Sequence, residues 1–148
     1  MIAISTKAEQ RRWRVAIRSL HRGQAMAEFA LVLTPCLALI FGIINFALAL
    51  YCYDFVCYSA QEAARYATVN GATSPTPATA ASVTSYVDAL VAGVLNTHNV
   101  TVTTTWSPNN SPGSTVTVTV SYSYPPLTSL VSSVTIALTR TAAMVITQ

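Results

Sequence analysis

The chain has 148 residues, which suits one domain of ordinary size, but 52% of them are hydrophobic and only 9% are charged, against about 25% charged in typical soluble domains. Six of the eight basic residues lie in the first 22 positions beside one acid, giving +5, whereas two arginines and four acids give residues 23–148 a charge of −2. This argues against a free cytosolic domain and against nucleic-acid binding, which needs positive charge on the folded surface.

The first predicted element after this basic tip is a membrane-spanning helix. Phe29–Leu50 is a run of 22 residues without a charge, and as a helix it spans roughly 33 Å, about the thickness of a bilayer's hydrocarbon core. The run exceeds the apolar region of a cleaved secretory signal, which has roughly 7–15 residues. The charge distribution predicts a single pass with the N-terminus in the cytoplasm and the C-terminus outside, the basic tip also contacting anionic lipid headgroups.

The helix is predicted to continue beyond the membrane to about Val69, where Asn70-Gly71 can cap it. Pro35 lacks an N–H donor and predicts a kink inside the span. Two stripes recur at helical spacing in the outer part. One carries large or charged side chains and the other carries small ones: Tyr51, Phe55, Tyr58, Glu62 and Arg65; Ala60, Ala63, Ala64 and Ala67. The small stripe permits close approach, and packing on the chain's own sheet is favoured over packing on a partner.

The remaining chain predicts a small outer domain. Ala72–Thr79 is a Ser/Thr/Pro linker, and Ala80–Leu95 predicts an amphipathic helix with Val83, Val87, Leu90, Val91 and Val94 on one side. Three alternating patterns predict strands, at 100–106, at 116–124 and from Val134 through Ile136 and Leu138 towards Ile146, with a loop at 107–113 between the first two.

The predicted fold class is therefore α+β: a long N-terminal membrane-spanning helix, a short helix and a small antiparallel β-sheet. The predicted segments are a basic leader (1–23), the spanning helix with its outer continuation (24–70), the linker (71–79) and the outer domain (80–148).

No catalytic constellation is visible in the sequence. His21 and His98 have no Cys, Asp or Glu at ligand spacing, so no metal or cofactor is predicted. Asp54 and Glu62 are eight residues apart on one helix, about 12 Å by helical rise, which is too far for a carboxylate pair. No nucleophile elbow and no glycine-rich phosphate loop occurs. Nothing here predicts an enzyme.

The three cysteines predict structural roles. Cys36 lies inside the predicted span, and Cys52 and Cys57 are five residues apart on one helix, roughly 140° round its axis, which is poor geometry for a bridge. Packing is the favoured role for all three. A bridge from Cys52 or Cys57 to another chain stays open as an alternative.

The junction between the basic tip and the apolar run carries the most specific signal. Gly23 is followed by Gln24, and Glu28 stands five residues after the glycine, immediately before Phe29 and the apolar run. A carboxylate at the hydrocarbon edge is costly unless it is paired or solvated. The pattern resembles the class III signal of type IV pilins and pseudopilins, in which a prepilin peptidase cuts after a glycine and the fifth mature residue is glutamate. The resemblance implies a cut between Gly23 and Gln24, with Glu28 and Phe29 in the assembly and processing motif.

About 45 residues around this junction resemble the TadE-like family, the minor pseudopilins of tight-adherence (Flp) pili. The matching pieces are Glu28–Leu33, Pro35, Phe41-Gly42, Tyr51 and Ala63-Ala64-Arg65. The family's usual leucine run after the proline is replaced here by Cys36-Leu37-Ala38.

This resemblance implies a pilin-like form of the α+β fold. It also implies a minor pseudopilin in the bacterial inner membrane, a structural and assembly component that acts in the fibre or in the membrane. Its implied partners are the prepilin peptidase, other pilins or pseudopilins, the pilus assembly platform and membrane lipid, with no nucleic acid. The alternative from another class is an uncleaved, membrane-anchored extracytoplasmic binding module, in which the span is only a tether. A membrane-bound hydrolase is a third interpretation, and it has no candidate site.

Overall fold

The computed structural model describes residues 7–126 and 135–147, with side chains from Gly23 onward. The chain divides into two compact units, Met1–Ile43 and Ile44–Gln148. The elements are α1 (Lys7–Val69), α2 (Ala80–Val91), a 3-10 turn (Thr97–Asn99), β1 (Val100–Ser107), β2 (Thr115–Tyr124) and β3 (Ile136–Val145). The predicted α+β class, with a long apolar N-terminal helix, a short helix and a three-stranded antiparallel sheet, is confirmed.

The first unit contains the N-terminal part of α1. The helix already begins at Lys7, so its backbone includes most of the predicted leader, whose side chains lie outside the described residues. The helix continues through Pro35 without interruption. Because proline has no N–H, the carbonyl of Leu31 loses its usual donor, while the adjacent Thr34 hydroxyl donates to the carbonyl of Ala30 at 2.8 Å.

The second unit begins with the outer part of α1, which ends at Val69 as predicted. Asn70 caps this end, because its backbone N–H and its side-chain amide both donate to the carbonyl of Tyr66, at 3.1 and 3.0 Å. The small stripe faces inward: Ala60, Ala63, Ala64 and Ala67 are all fully buried in the domain core. The stripe therefore packs within the chain's own domain, in the core that also contains Val116, Val118 and Val120 of β2.

The segment between the two helices is held by hydrogen bonds to the loop between β1 and β2. Asn110 accepts from the backbone N–H of Ala72 at 2.7 Å and donates through its side chain to the carbonyl of Ala78 at 3.1 Å. Helix α2 then begins with a reciprocal capping box between Thr79 and Ser82. Its Tyr86 ring stacks on Tyr66 of α1, with ring centroids 4.6 Å apart and planes 10° apart.

Helix α2 is shorter than predicted. It ends at Val91 rather than Leu95, because Gly93 adopts φ +85°, a left-handed conformation that glycine adopts without steric penalty and that stops the helix. Val83, Val87 and Val91 are buried as expected, whereas Val94 is 41% exposed beyond the helix end.

The sheet has the order β1-β2-β3, with both pairings antiparallel. Its central strand supplies the core through Val116, Val118 and Val120, which are fully buried. On the opposite face, hydroxyls pair across strands, Thr119 with Thr141 and Ser121 with Thr139, each at 2.9 Å.

The apolar pattern predicted for β3 is only partly buried. Ile136 is 44% exposed and Leu138 is half-buried, while Ile146 is buried. Between these positions, Arg140 pairs with the fully buried Val120 and is itself exposed. The C-terminal end of this alternating pattern, at Ile146, is therefore buried, whereas its N-terminal end, at Ile136, is exposed. Val134, the first residue of the predicted strand, lies outside the described residues.

Candidate functional site

The junction residues lie on one exposed stretch of α1. Gly23, Gln24, Glu28 and Phe29 are all exposed. The side-chain amide of Gln24 donates to the Oε1 of Glu28 at 3.3 Å, as expected for residues four apart on one helix face. Gly23 lies at the start of this stretch, and a Cβ added there would have no heavy atom within 4 Å.

This geometry suits recognition of the junction by another protein rather than chemistry by the chain itself. Cleavage after Gly23, which the resemblance implies, would require the helix to open locally. Glycine lowers the cost of that opening, since it is about 1 kcal/mol less favourable than alanine in a helix interior. The open space around Gly23 means that no neighbouring side chain within its unit has to move first.

The apolar run after Glu28 presents large side chains to its surroundings. Those with the highest exposure are Leu31 (75%), Phe29 (67%), Phe46 (67%), Val32 (66%) and Leu39 (64%). In the described part of the chain, one helix is long and apolar enough to cross a membrane, Gly23–Val69, with 47 residues. As a helix it measures about 70 Å, roughly twice the hydrocarbon thickness, so the predicted span fills a bilayer and leaves an outer part.

The outer part of α1 turns its larger side chains outward. Tyr51 is 56% exposed and Tyr58 is 49% exposed, and the Phe55 ring lies 6.0 Å from that of Tyr58. Glu62 and Arg65 form an ion pair at 3.4 Å on the same side. The sequence identified this stripe as helical, but helical spacing alone did not show that Tyr51 and Tyr58 are exposed while Phe55 packs against the core.

The candidate chemical groups are not brought together. Among the described residues, no group of three or more His, Cys, Asp or Glu side chains is placed to hold a metal ion. Asp54 and His98 are exposed. The three cysteines are free: Cys36 is exposed, Cys52 is buried and Cys57 is half-buried. Their geometry fits the predicted packing role for Cys52, whose side chain belongs to the core.

Two buried tyrosines, Tyr122 and Tyr124, belong to the same core as Cys52. Burial raises the pKa of Tyr122, as does the neighbouring Cys52, while a hydrogen bond with the backbone of Asn96 lowers it. Burial also raises the pKa of Tyr124, whose hydroxyl donates to the carbonyl of Asn45 at 3.5 Å. Both phenols are therefore held in the neutral form, which suits packing and disfavours a role as a general base.

Together these features define a class of protein: one apolar helix able to act as a membrane anchor, followed by a small α+β domain. Within that class, residues 23–65 match the family model described as TadE-like protein, so the TadE-like resemblance is confirmed over this segment. The TadE-like family is a family of structural components of pili. The matched segment begins at Gly23 and covers the anchor and most of its outer continuation, whereas the sheet lies outside it. No curated protein and no solved structure gives a significant match.

Proposed function

We propose that this protein is a minor pseudopilin that serves the assembly of a tight-adherence pilus. A prepilin peptidase removes residues 1–23, and the mature chain begins at Gln24. The protein crosses the bacterial inner membrane once, with its basic tip in the cytoplasm and its sheet domain outside. Its partners are other pilins or pseudopilins and the assembly platform, and its role is structural rather than enzymatic.

One observation carries this proposal: the position of Glu28 relative to Gly23 within the TadE-like segment. The two residues lie on one exposed helical stretch, with Gln24 in hydrogen-bond contact with Glu28. Cleavage after Gly23 would create an α-amino group one helical turn from this carboxylate. At neutral pH that amine is cationic, since its reference pKa is about 7.7–8.0. At the membrane edge, this amine and the Glu28 carboxylate can form an ion pair that stabilises a lateral contact between subunits.

The proposal is tested by N-terminal sequencing of the full-length protein, expressed with a prepilin peptidase and extracted from membranes. A mature chain starting at Gln24 is expected. Replacement Gly23→Val should leave the precursor intact, because the peptidase has to approach the backbone at a residue with no side chain. Gly42→Val is the matched control, since an added Cβ at Gly42 also has no neighbour within 4 Å.

The control should be trimmed like the wild type. A start at Met1 in the wild-type protein would favour the alternative, an uncleaved module on a tether. Equal trimming of the Gly23→Val and Gly42→Val proteins would show that the cut lies elsewhere.

A further inference from the structure

The outer domain begins on α1 before the predicted membrane span ends. The uncharged run that is predicted to cross the bilayer is Phe29–Leu50, whereas the second compact unit already begins at Ile44. Asn45 and Ala49 are half-buried, and Ala49 packs against the domain core. The last part of the predicted span therefore belongs to the same compact unit as the sheet.

Two contacts show which end of the sheet lies beside this part of the helix. The Tyr124 hydroxyl donates to the carbonyl of Asn45 at 3.5 Å, and Tyr124 pairs with Ile136 at the start of β3. At the other end of the domain, the backbone N–H of Thr147 donates to the carbonyl of Thr68 at 3.3 Å. The end of β2 and the start of β3 are therefore close to Asn45, which lies about 7.5 Å of helical rise before the predicted span ends.

The charges of α1 and β3 begin at the same distance from this contact. The first charged residue of α1 after Asn45 is Asp54, about 13.5 Å further along the helix. The first charged residue of β3 after Ile136 is Arg140, about 13 Å further along the strand. Residues 121–139 contain no Asp, Glu, Lys or Arg. The domain therefore has an uncharged end, which is bounded on both elements by their first charges.

This uncharged end presents apolar groups that water does not favour. We call four of its residues the apolar rim: Pro125, Pro126, Ile136 and Leu138. Ile136 is 44% exposed although its partner Tyr124 is buried. The two prolines have no backbone N–H, so neither leaves a donor unsatisfied where water is scarce.

We propose that the apolar rim binds the lipid surface of the membrane that α1 crosses, with its side chains in the interfacial layer. The proposal rests on the proposed membrane crossing. If the hydrocarbon core ends near Leu50, the contact between Tyr124 and Asn45 lies about 7.5 Å below its edge. The rim then replaces lipid around this part of the helix.

The first charges then lie at the level of the lipid headgroups. Asp54 is about 6 Å of helical rise beyond Leu50, and the headgroup layer is roughly 5–7 Å thick on each side of the hydrocarbon core. Arg140 is exposed, and among the described side chains no acidic group lies within ion-pair distance of it. Lipid phosphates at this level can accept hydrogen bonds from its guanidinium.

The position of Glu28 argues against a span that keeps the domain clear of the membrane. To end at Ile43, before the domain begins, a span of about 30 Å has to start near residue 24. It would place the Glu28 carboxylate about 6 Å inside the hydrocarbon core, where an ionised group is costly. A span that starts after Glu28 reaches about residue 48, and so includes Asn45 and the level of the rim.

The test is quenching of tryptophan fluorescence by brominated lipid, with the full-length protein reconstituted in phosphatidylcholine vesicles. Trp13→Phe in every variant leaves Trp106 as the native fluorophore, and Trp106 lies at the opposite end of the sheet, paired with Val116. One variant adds Ile136→Trp at the rim. The matched control adds Val145→Trp, a similarly exposed position at 58%, about 30 Å further along β3.

Bromine on the upper part of the acyl chains should reduce the emission added by Ile136→Trp by roughly twofold or more, since an indole at the interface meets these carbons. The emission of Trp106 and that added by Val145→Trp should be unchanged. Aqueous acrylamide should show the reverse order. Pro125→Trp is a second rim position, for use if Ile136→Trp alters the fold.

Two results would overturn the proposal. In one, brominated lipid leaves both rim positions unchanged and acrylamide quenches them as strongly as Val145→Trp, which places the rim in water. In the other, brominated lipid quenches Ile136→Trp and Val145→Trp equally, so that the domain does not contact lipid through this end.

The outcome is separable from that of the proposed processing. The rim lies after the proposed cut, so the uncleaved Gly23→Val protein should show the same quenching. Quenching at the rim of a chain that starts at Met1 would contradict the processing alone, and a start at Gln24 without quenching would contradict the lipid contact alone. Release of the protein from vesicles by alkaline carbonate would overturn the membrane crossing and, with it, the rim contact.

Discussion

Replacement of Glu28 by alanine separates a role in assembly from a role in helix stability. In the structure Glu28 is exposed and accepts one hydrogen bond, from Gln24 at 3.3 Å. A pair at this spacing contributes about 0.2–0.5 kcal/mol to a helix. Alanine compensates for a similar amount of helix stability, because its helix propensity is higher than that of glutamate. The net change in helix stability is therefore close to zero, and Glu28→Ala should insert and be cleaved normally.

The expected loss lies in subunit contacts instead. Two opposite unit charges about 4 Å apart attract by about 1 kcal/mol in water and by about 4 kcal/mol at an effective dielectric constant of 20. If Glu28 pairs with the amine of Gln24 on a neighbouring subunit, its removal should reduce association roughly fivefold to a thousandfold, because 1.4 kcal/mol is tenfold. Glu28→Asp should be partly defective, since its shorter side chain reaches less far.

The assay compares the pilus fraction sheared from cells with the membrane fraction, by immunoblotting for the pilus subunit and for this protein. Asp54→Ala is the control, because Asp54 is an exposed carboxylate on the same helix outside the junction. Wild-type piliation and unchanged recovery of partners with Glu28→Ala would refute the pairing argument. Glu28 would then be a carboxylate solvated by headgroups and water at the membrane edge.

Three further predictions concern the outer part of the chain. Ala63→Leu should destabilise the domain by about 1–3 kcal/mol, because it overpacks a fully buried position. The control Gln61→Leu, at an exposed position, should change stability by less than about 0.5 kcal/mol. Thermal melts followed by near-ultraviolet circular dichroism in detergent measure both variants, and equal melting temperatures would contradict the burial of Ala63. Because the pKa of Tyr122 is raised in the folded state, its contribution to the free energy of unfolding should be fully present below about pH 10 and should decrease above it. The decrease should be up to about 1.4 kcal/mol per pH unit for each proton that only the unfolded chain releases. Tyr122→Phe should reduce this pH dependence in denaturant titrations. A membrane-impermeant thiol reagent applied to spheroplasts should label the half-buried Cys57 but not Cys36 in the predicted span, and labelling of neither would argue against an outward C-terminal domain.

Much of the fold follows from local patterns in the sequence. The end of α1 at Val69 was predictable because helical spacing stops there and Asn70 can cap it. The three strands were predictable because valines alternate with threonines and serines, a pattern with no helical period. The early end of α2 was missed, because Gly93 takes a left-handed conformation that apolar spacing through Val94 does not reveal.

The assignment of faces could not be made from spacing alone. Both stripes of the outer helix have helical periodicity, and hydrophobicity alone would favour burying the larger Tyr51 and Tyr58, which are exposed. The alanines are buried because a helix packed closely on its own domain has room for small side chains only. On β3, Ile136 is 44% exposed although it pairs with the buried Tyr124. Register is set by pairing between strands, which a single strand's sequence does not contain.

The distribution of charge along the chain gives the proposed processing a physical consequence. The basic tip, at +5, favours retention of the N-terminus in the cytoplasm and so sets orientation during insertion. Cleavage after Gly23 would remove that charge and leave 125 residues with a net side-chain charge of −2. In the proposed role, orientation is needed once, at insertion, whereas assembly would require the anchor to move relative to lipid. A tip of several arginines bound to anionic headgroups, at about 1 kcal/mol each, would oppose that movement. Its replacement by one amine, one turn from Glu28, would remove most of this opposition and would create a single charge pair for subunit contacts.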